Sequence, residues 1–219
     1  MTSTSSFGEQ MTQNIQEAAQ RKFDLSTVLE ADQHQIFAQL QGLRGFEETP
    51  LFFCFIALLS HFSRDYLAYR TEDKKPINLY VVLVGDSGSG KTQIIGQMEL
   101  AKDEVEQEFQ SFYIRKMDYG GISASSSSVV KNVNHLGLRK LLALGSCCYI
   151  NDEPDVFFDP YGVFDVENSK YNNETCLLLQ ALMENDNRST GSTTTRITKA
   201  RLSILAATTG GKYQKLLFN

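Results

Sequence analysis

Apolar residues recur at helical spacing from about Ser26 to Tyr69. Ile36, Phe37, Leu40 and Leu43 lie three and four positions apart, and a denser apolar series runs from Phe52 to Leu67. This spacing predicts two or three helices. The longest apolar stretch, Leu51 to Leu59, is followed by Ser60 and His61 and falls far short of the ~20 residues of a membrane span, so it reads as a buried helix. Ahead of it, residues 1–25 are poor in large apolar groups and read as a disordered or weakly helical leader. Thr71 to Pro76 reads as a charged connection ending in a proline. The chain therefore divides into a leader (1–25), a helical segment (26–75) and a core (76–219).

Within the core the pattern changes to strands alternating with helices. Leu79 to Val84 is a continuous apolar run of strand length, and Gln93 to Gln110 has a helical pattern with Glu99, Lys102, Asp103, Glu106 and Glu108 on its polar side. A strand is expected at Phe112 to Met117. The serine-rich stretch from Gly120 to Ser128 then reads as a loop capping a helix from Val129 to Leu144. Ser146 to Asn151 is a second apolar strand, ending in Asp152-Glu153. An acidic, aromatic loop (Pro154 to Tyr171), a helix (Cys176 to Met183), a hairpin (Arg188 to Thr198) and a strand (Leu202 to Ala207) complete the reading. Such alternation implies a mainly parallel sheet with helices on both faces.

The chemistry is concentrated where the first core strand breaks. Gly85-Asp86-Ser87-Gly88-Ser89-Gly90-Lys91-Thr92 has the form G-x-x-x-x-G-K-[ST]. Glycines let the backbone curl until several N–H groups face one anion, and Gly85, Gly88 and Gly90 are expected to supply that freedom. Lys91 would reach the β- and γ-phosphates of a nucleotide, Thr92 would place its hydroxyl on Mg²⁺, and the following helix would aim its positive end at the same phosphates. The bland alternative is a glycine-rich turn, against which the preceding strand and the following helix both count.

A strand ending in two carboxylates is the natural complement, because phosphoryl transfer to water needs a metal anchor and a water-orienting group close together. Asp152 fits the first role and Glu153 the second. Thr208 and Thr209, at the end of the last strand, are candidates to touch the γ-phosphate or the attacking water, although threonines also favour strands for their shape alone.

Bulk composition narrows the setting. The chain has 219 residues and a net charge of −5, which argues against a surface that coats nucleic acid generally. From Arg188 onward there are six basic residues and no acidic one. Arg188, Arg196, Lys199 and Arg201 are the candidates for nucleic-acid contact, with an ordinary solvated hairpin as the alternative. Cys54, Cys147, Cys148 and Cys176 match no zinc spacing and read as reduced, small apolar groups. No secretory signal pattern occupies Met1 to Gln20, and an intracellular location, cytoplasmic or nuclear, is expected.

Two families share these motifs. Pro76 to Tyr80, the loop Gly85 to Thr92, Asp152-Glu153 and Ala200 to Leu205 resemble a family of primase/helicase-like P-loop proteins of unknown function from phages, plasmids and other mobile elements. The C-terminal half is also similar to the minichromosome maintenance helicases of the AAA+ type, through Gly145 to Glu153, Ala181 to Glu184 and Ala200 to Thr208. Together the resemblances span about residues 45–217. They imply a three-layer α/β/α P-loop NTPase with an added catalytic strand, a hairpin at Gly191 to Thr198 that contacts nucleic acid, and a homo-oligomer whose sites are completed by a neighbour's arginine. Thr208 or Thr209 stands where the minichromosome maintenance group usually has asparagine. No arginine finger or lid follows the last strand, so the chain is expected to be a fragment with an exposed edge beside the phosphate-loop strand.

The leading expectation is Mg²⁺-dependent ATP hydrolysis coupled to nucleic-acid remodelling. The alternative is a nucleotide-gated binding or scaffold module with little turnover. A nucleotide-kinase-like phosphotransferase is the third reading, against which the Asp-Glu strand end counts.

Overall fold

The computed structural model describes residues 23–63, 67–70, 73–119, 122–159 and 201–210. A 3₁₀ turn at Leu25–Thr27 precedes helices α1 (Ala31–Arg44) and α2 (Glu48–Phe62) and a hairpin of β1 (Leu67–Arg70) and β2 (Asp73–Pro76). Then come β3 (Tyr80–Val84), α3 (Lys91–Glu108), α4 (Gln110–Tyr113), β4 (Arg115–Tyr119), β5 (Ile122–Ser126) and β6 (Val129–Val130). Helix α5 (His135–Leu144), β7 (Cys147–Asn151), α6 (Asp155–Phe158) and β8 (Leu202–Thr208) follow. No helix among the described residues is long and apolar enough to cross a membrane.

Among the described residues the main sheet is four-stranded and wholly parallel, in the order β3-β8-β7-β6. β8, the last strand of the described residues, thus lies inside it, with Val84 of β3 opposite Thr208 and Asn151 of β7 opposite Ala206. β7 and β8 are buried along their whole length, and their alternate residues feed two apolar clusters. Cys148, Ile150, Leu205 and Ala207 pack with Leu51, Cys54 and Leu58 of α2 and with Ile94, Ile95 and Met98 of α3. Cys147, Tyr149, Leu202, Ile204 and Ala206 pack with Leu138 and Leu142 of α5 and with Phe157 and Phe158. The strand period of two therefore sends successive side chains to opposite faces, each covered by helices, which is why both strands read as unbroken apolar runs. β3 is an edge strand among the described residues, and Tyr80 and Val84 are accordingly exposed.

Several expected elements differ. The charged connection at Thr71 to Pro76 contains β2, which pairs antiparallel with β1. The strand expected at Phe112 to Met117 begins at Arg115, after the short helix α4, and pairs antiparallel with β5 outside the parallel sheet. β5 occupies much of the expected serine loop. The helix expected from Val129 starts at His135, because the β-branched pair Val129-Val130 joins the sheet beside Cys148 and Tyr149. The Asn134 side-chain Oδ1 then caps the helix by accepting from Gly137 N at 2.8 Å. The start of the acidic loop is helical, as α6. Glu106, assigned to the polar side of its helix, is buried at 4% exposure. Residues 1–22 of the leader, the helix at Cys176 to Met183, the hairpin, and Arg188, Arg196 and Lys199 lie outside the described residues; Arg201 is half-buried just before β8.

Candidate active site

All four strands are parallel, so their C-terminal ends share one edge of the sheet, the usual ligand edge of an open α/β sheet. The glycine-rich loop leaves β3 there, Asn151-Asp152-Glu153 leaves β7, and Thr208-Thr209 ends β8 between them. A cleft of ≈ 510 Å³ at this edge is lined by residues 87–93 on one side and by Asp152, Glu153, Asp155, Thr208 and Thr209 on the other.

Two of the three loop glycines adopt the conformation the motif predicts, Gly88 with φ +83° and Gly90 with φ +81°. Gly85 is not in the positive-φ region, which corrects the expectation for it. Its requirement is space instead, since a Cβ there would lie 3.3 Å from Ser89 Oγ and 3.8 Å from Lys91 Nζ. The ammonium of Lys91 folds into the loop, donating to Gly85 O at 2.7 Å, Asp86 O at 2.6 Å and Ser89 Oγ at 2.9 Å. Gly85 N in turn donates to Thr208 O at 3.2 Å, tying the loop base to the end of β8. Asp86 contributes its carbonyl, and neither it nor Gly85 lines this cleft.

Helix α3 starts at Gly90 without a side-chain cap. An 18-residue helix thus opens its first-turn amides and the positive end of its dipole onto the cleft. Thr92 is exposed on this first turn, opposite the half-buried Asp152 and the exposed Glu153. The residues present fit a magnesium nucleotide: an uncapped helix start and an ammonium held only by neutral acceptors suit phosphates, while a hydroxyl and a carboxylate are the few hard oxygen donors Mg²⁺ takes beside phosphate and water.

The two threonines separate. Thr208 is buried, and its Oγ1 accepts from Gly210 N at 3.2 Å, whereas Thr209 is exposed at the cleft. Thr209 is therefore the better placed of the two to meet a ligand. The sequence reading missed Gln93, on the first turn of α3, and Asp155, whose Oδ1 is buried with no hydrogen-bond partner among the described residues. A signal for Asp155 existed in the run Asp152-Glu153-Pro154-Asp155, because a proline suits the start of a helix, and a helix starting here keeps Asp155 close to the strand end.

Next to the acids, Lys131 Nζ lies 2.9 Å from Glu99 Oε1 of α3. Its pairing with Glu99 raises the pKa of the Lys131 ammonium from the ordinary lysine value, and the charges of Glu99 and Asp152 add to this. No protein-family model matches this chain, and no curated protein does.

Proposed function

We propose that this chain binds Mg²⁺·ATP and hydrolyses it, with turnover coupled to nucleic-acid remodelling. One observation carries the reading: β8 lies between the phosphate-loop strand and the acidic strand, so Lys91, Thr92, Asp152, Glu153 and Thr209 all face a single cleft. Residues from three separate strand ends converge there, which a glycine-rich turn of merely structural origin does not require.

In this reading Lys91 exchanges its three loop acceptors for phosphate oxygens, and the start of α3 supplies amides to the same group. Thr92 and Asp152 hold Mg²⁺, which when bound neutralises developing phosphate charge. Glu153 orients the attacking water and accepts its proton, and Thr209 hydrogen-bonds the γ-phosphate or that water. The nucleic-acid arm rests on the basic run from Arg188 to Lys215 in the sequence. A nucleotide-gated binder is the second reading. The absence of any arginine lining the cleft among the described residues favours it, since an arginine commonly stabilises the transferring phosphoryl group.

Phosphate release from ATP by the purified chain, with Mg²⁺ and with or without single-stranded DNA, tests both. Turnover stimulated by DNA, lost in Lys91→Ala and in Glu153→Gln while Glu153→Gln still binds nucleotide, supports the hydrolase. Binding without turnover supports the gated module, and turnover unchanged in Lys91→Ala overturns the site.

A further inference from the structure

We propose that Asn151 is the positioning residue that aims Glu153 into the cleft and braces the acidic turn against the phosphate helix; this rests on the reading of Glu153 as the water-orienting group. Asn151 is the last residue of β7 and closes an otherwise apolar run. It is buried, at 7% exposure. A carboxamide in such a place costs stability unless both its ends are bonded, and both are.

Its Nδ2 donates to Lys131 O at 3.1 Å, and its Oδ1 accepts from Glu153 N at 3.0 Å. One partner is an acceptor and the other a donor, so the orientation of the amide is fixed by the partners themselves. β6 supplies only Val129 and Val130 to pair with Cys148 and Tyr149. Beyond that point the Asn151 side chain continues the link between the strands toward the cleft. Its other arm makes the two-residue side-chain turn that asparagine favours, and this turn sets the direction in which the chain carries Glu153.

The brace reaches further. Lys131, whose carbonyl Asn151 holds, forms its ion pair with Glu99 of α3, the helix that begins at the phosphate loop. The series Glu99, Lys131, Asn151, Glu153 thus joins the helix under the phosphates to the group that orients water, through side-chain contacts of 2.9 to 3.1 Å. No apolar residue of similar size supplies either bond. Aspartate supplies the acceptor for Glu153 N but no donor for Lys131 O.

The test compares Asn151→Leu and Asn151→Asp with the wild-type chain by residue-resolved amide hydrogen exchange, by nucleotide binding and by turnover. In Asn151→Leu, exchange at the Glu153 amide accelerates by about tenfold or more and kcat falls by a similar factor, while the Kd for Mg²⁺·ATP stays within about twofold. Asn151→Asp keeps the Glu153 amide protected and loses less kcat than the leucine variant. Wild-type protection of Glu153 in the leucine variant overturns the proposal, as does faster exchange with unchanged kcat, or a parallel loss of binding and turnover that marks general disorder. Should the leucine variant not fold, an unprotected Glu153 amide in Asn151→Asp overturns it and a protected one supports it. A wild-type chain without turnover refutes the hydrolase reading alone, and the exchange comparison at Glu153 then decides the positioning role.

Discussion

Replacing Glu106 by alanine removes the acceptor on which three donors converge near the end of α3. Its carboxylate takes Ser128 N at 3.0 Å, Ser128 Oγ at 3.1 Å and Ser127 Oγ at 2.7 Å, and Lys102 Nζ lies 3.6 Å away, one turn earlier on α3. Not all of these are lost equally. Ser128 Oγ also lies 2.8 Å from His61 Nε2, Ser127 Oγ has Val129 O at 2.8 Å, and Lys102 keeps its pair with Asp103. Ser128 N is the group stranded, in a buried residue, and leaving it unsatisfied costs about 1–3 kcal/mol. The lost side-chain methylene adds about 0.8 kcal/mol. Release of a buried carboxylate from its desolvation offsets the lost charge-assisted bonding, which leaves these two costs and a net destabilisation of about 2–4 kcal/mol. For a chain of this size that corresponds to a fall in Tm of roughly 4–16 °C. Glu106→Gln retains an oxygen for Ser128 N and is expected to cost at least about 1 kcal/mol less than alanine. Urea unfolding of the wild type and both variants, followed by circular dichroism and by intrinsic fluorescence, measures the difference. An alanine variant within about 0.5 kcal/mol of wild type, or no gap between alanine and glutamine, refutes the reasoning.

Gly210 has φ +85°, and a Cβ on it would come within 2.7 Å of Val84 Cγ1. Gly210→Ala is therefore expected to destabilise the fold by about 1–3 kcal/mol, which chemical denaturation reads directly; a neutral substitution would mean that the turn after β8 relaxes freely. The Lys131 ammonium is held above its unfolded value of 10.5, so its pairing contributes fully below that pH and is lost as pH rises through the raised value. Following the Lys131 side chain by NMR should show a titration that drops toward the ordinary lysine value in Glu99→Gln. An unchanged midpoint would show that Glu99 is not the cause.

The local features were legible from sequence because their physics is local. A continuous apolar strand followed by Gly-x-x-x-x-Gly-Lys-Thr fixes its own turn, and a carboxylate pair after an apolar run marks a strand end wherever that strand lies. The bends of Gly88 and Gly90 follow from residue type, whereas Gly85 is required by the approach of Ser89 and Lys91, which only the folded loop reveals. Val129-Val130 shows the limit of pattern reading. Next to a helical pattern the pair reads as part of the helix, but its β-branched side chains fit the free edge of β7. Glu106 shows another limit: its helical spacing assigned it to the polar side, and its neighbours Ser127 and Ser128 arrive from a distant part of the chain.

What the amino-acid sequence determined by itself was thus the inventory: a glycine-rich loop after an apolar strand, an acidic strand end, a threonine-tipped strand and the alternation that makes a parallel sheet. Tertiary structure alone decided their order. Parallel strands are joined by long connections, so neighbours in the sheet need not be neighbours in the chain, and nothing in a strand's own pattern states which edge it pairs with. Insertion of β8 between β3 and β7 gathers Lys91, Asp152, Glu153 and Thr209 at one cleft, and the same packing leaves Asn151 bonded between two strand ends where its sequence neighbours had marked it only as the end of an apolar run.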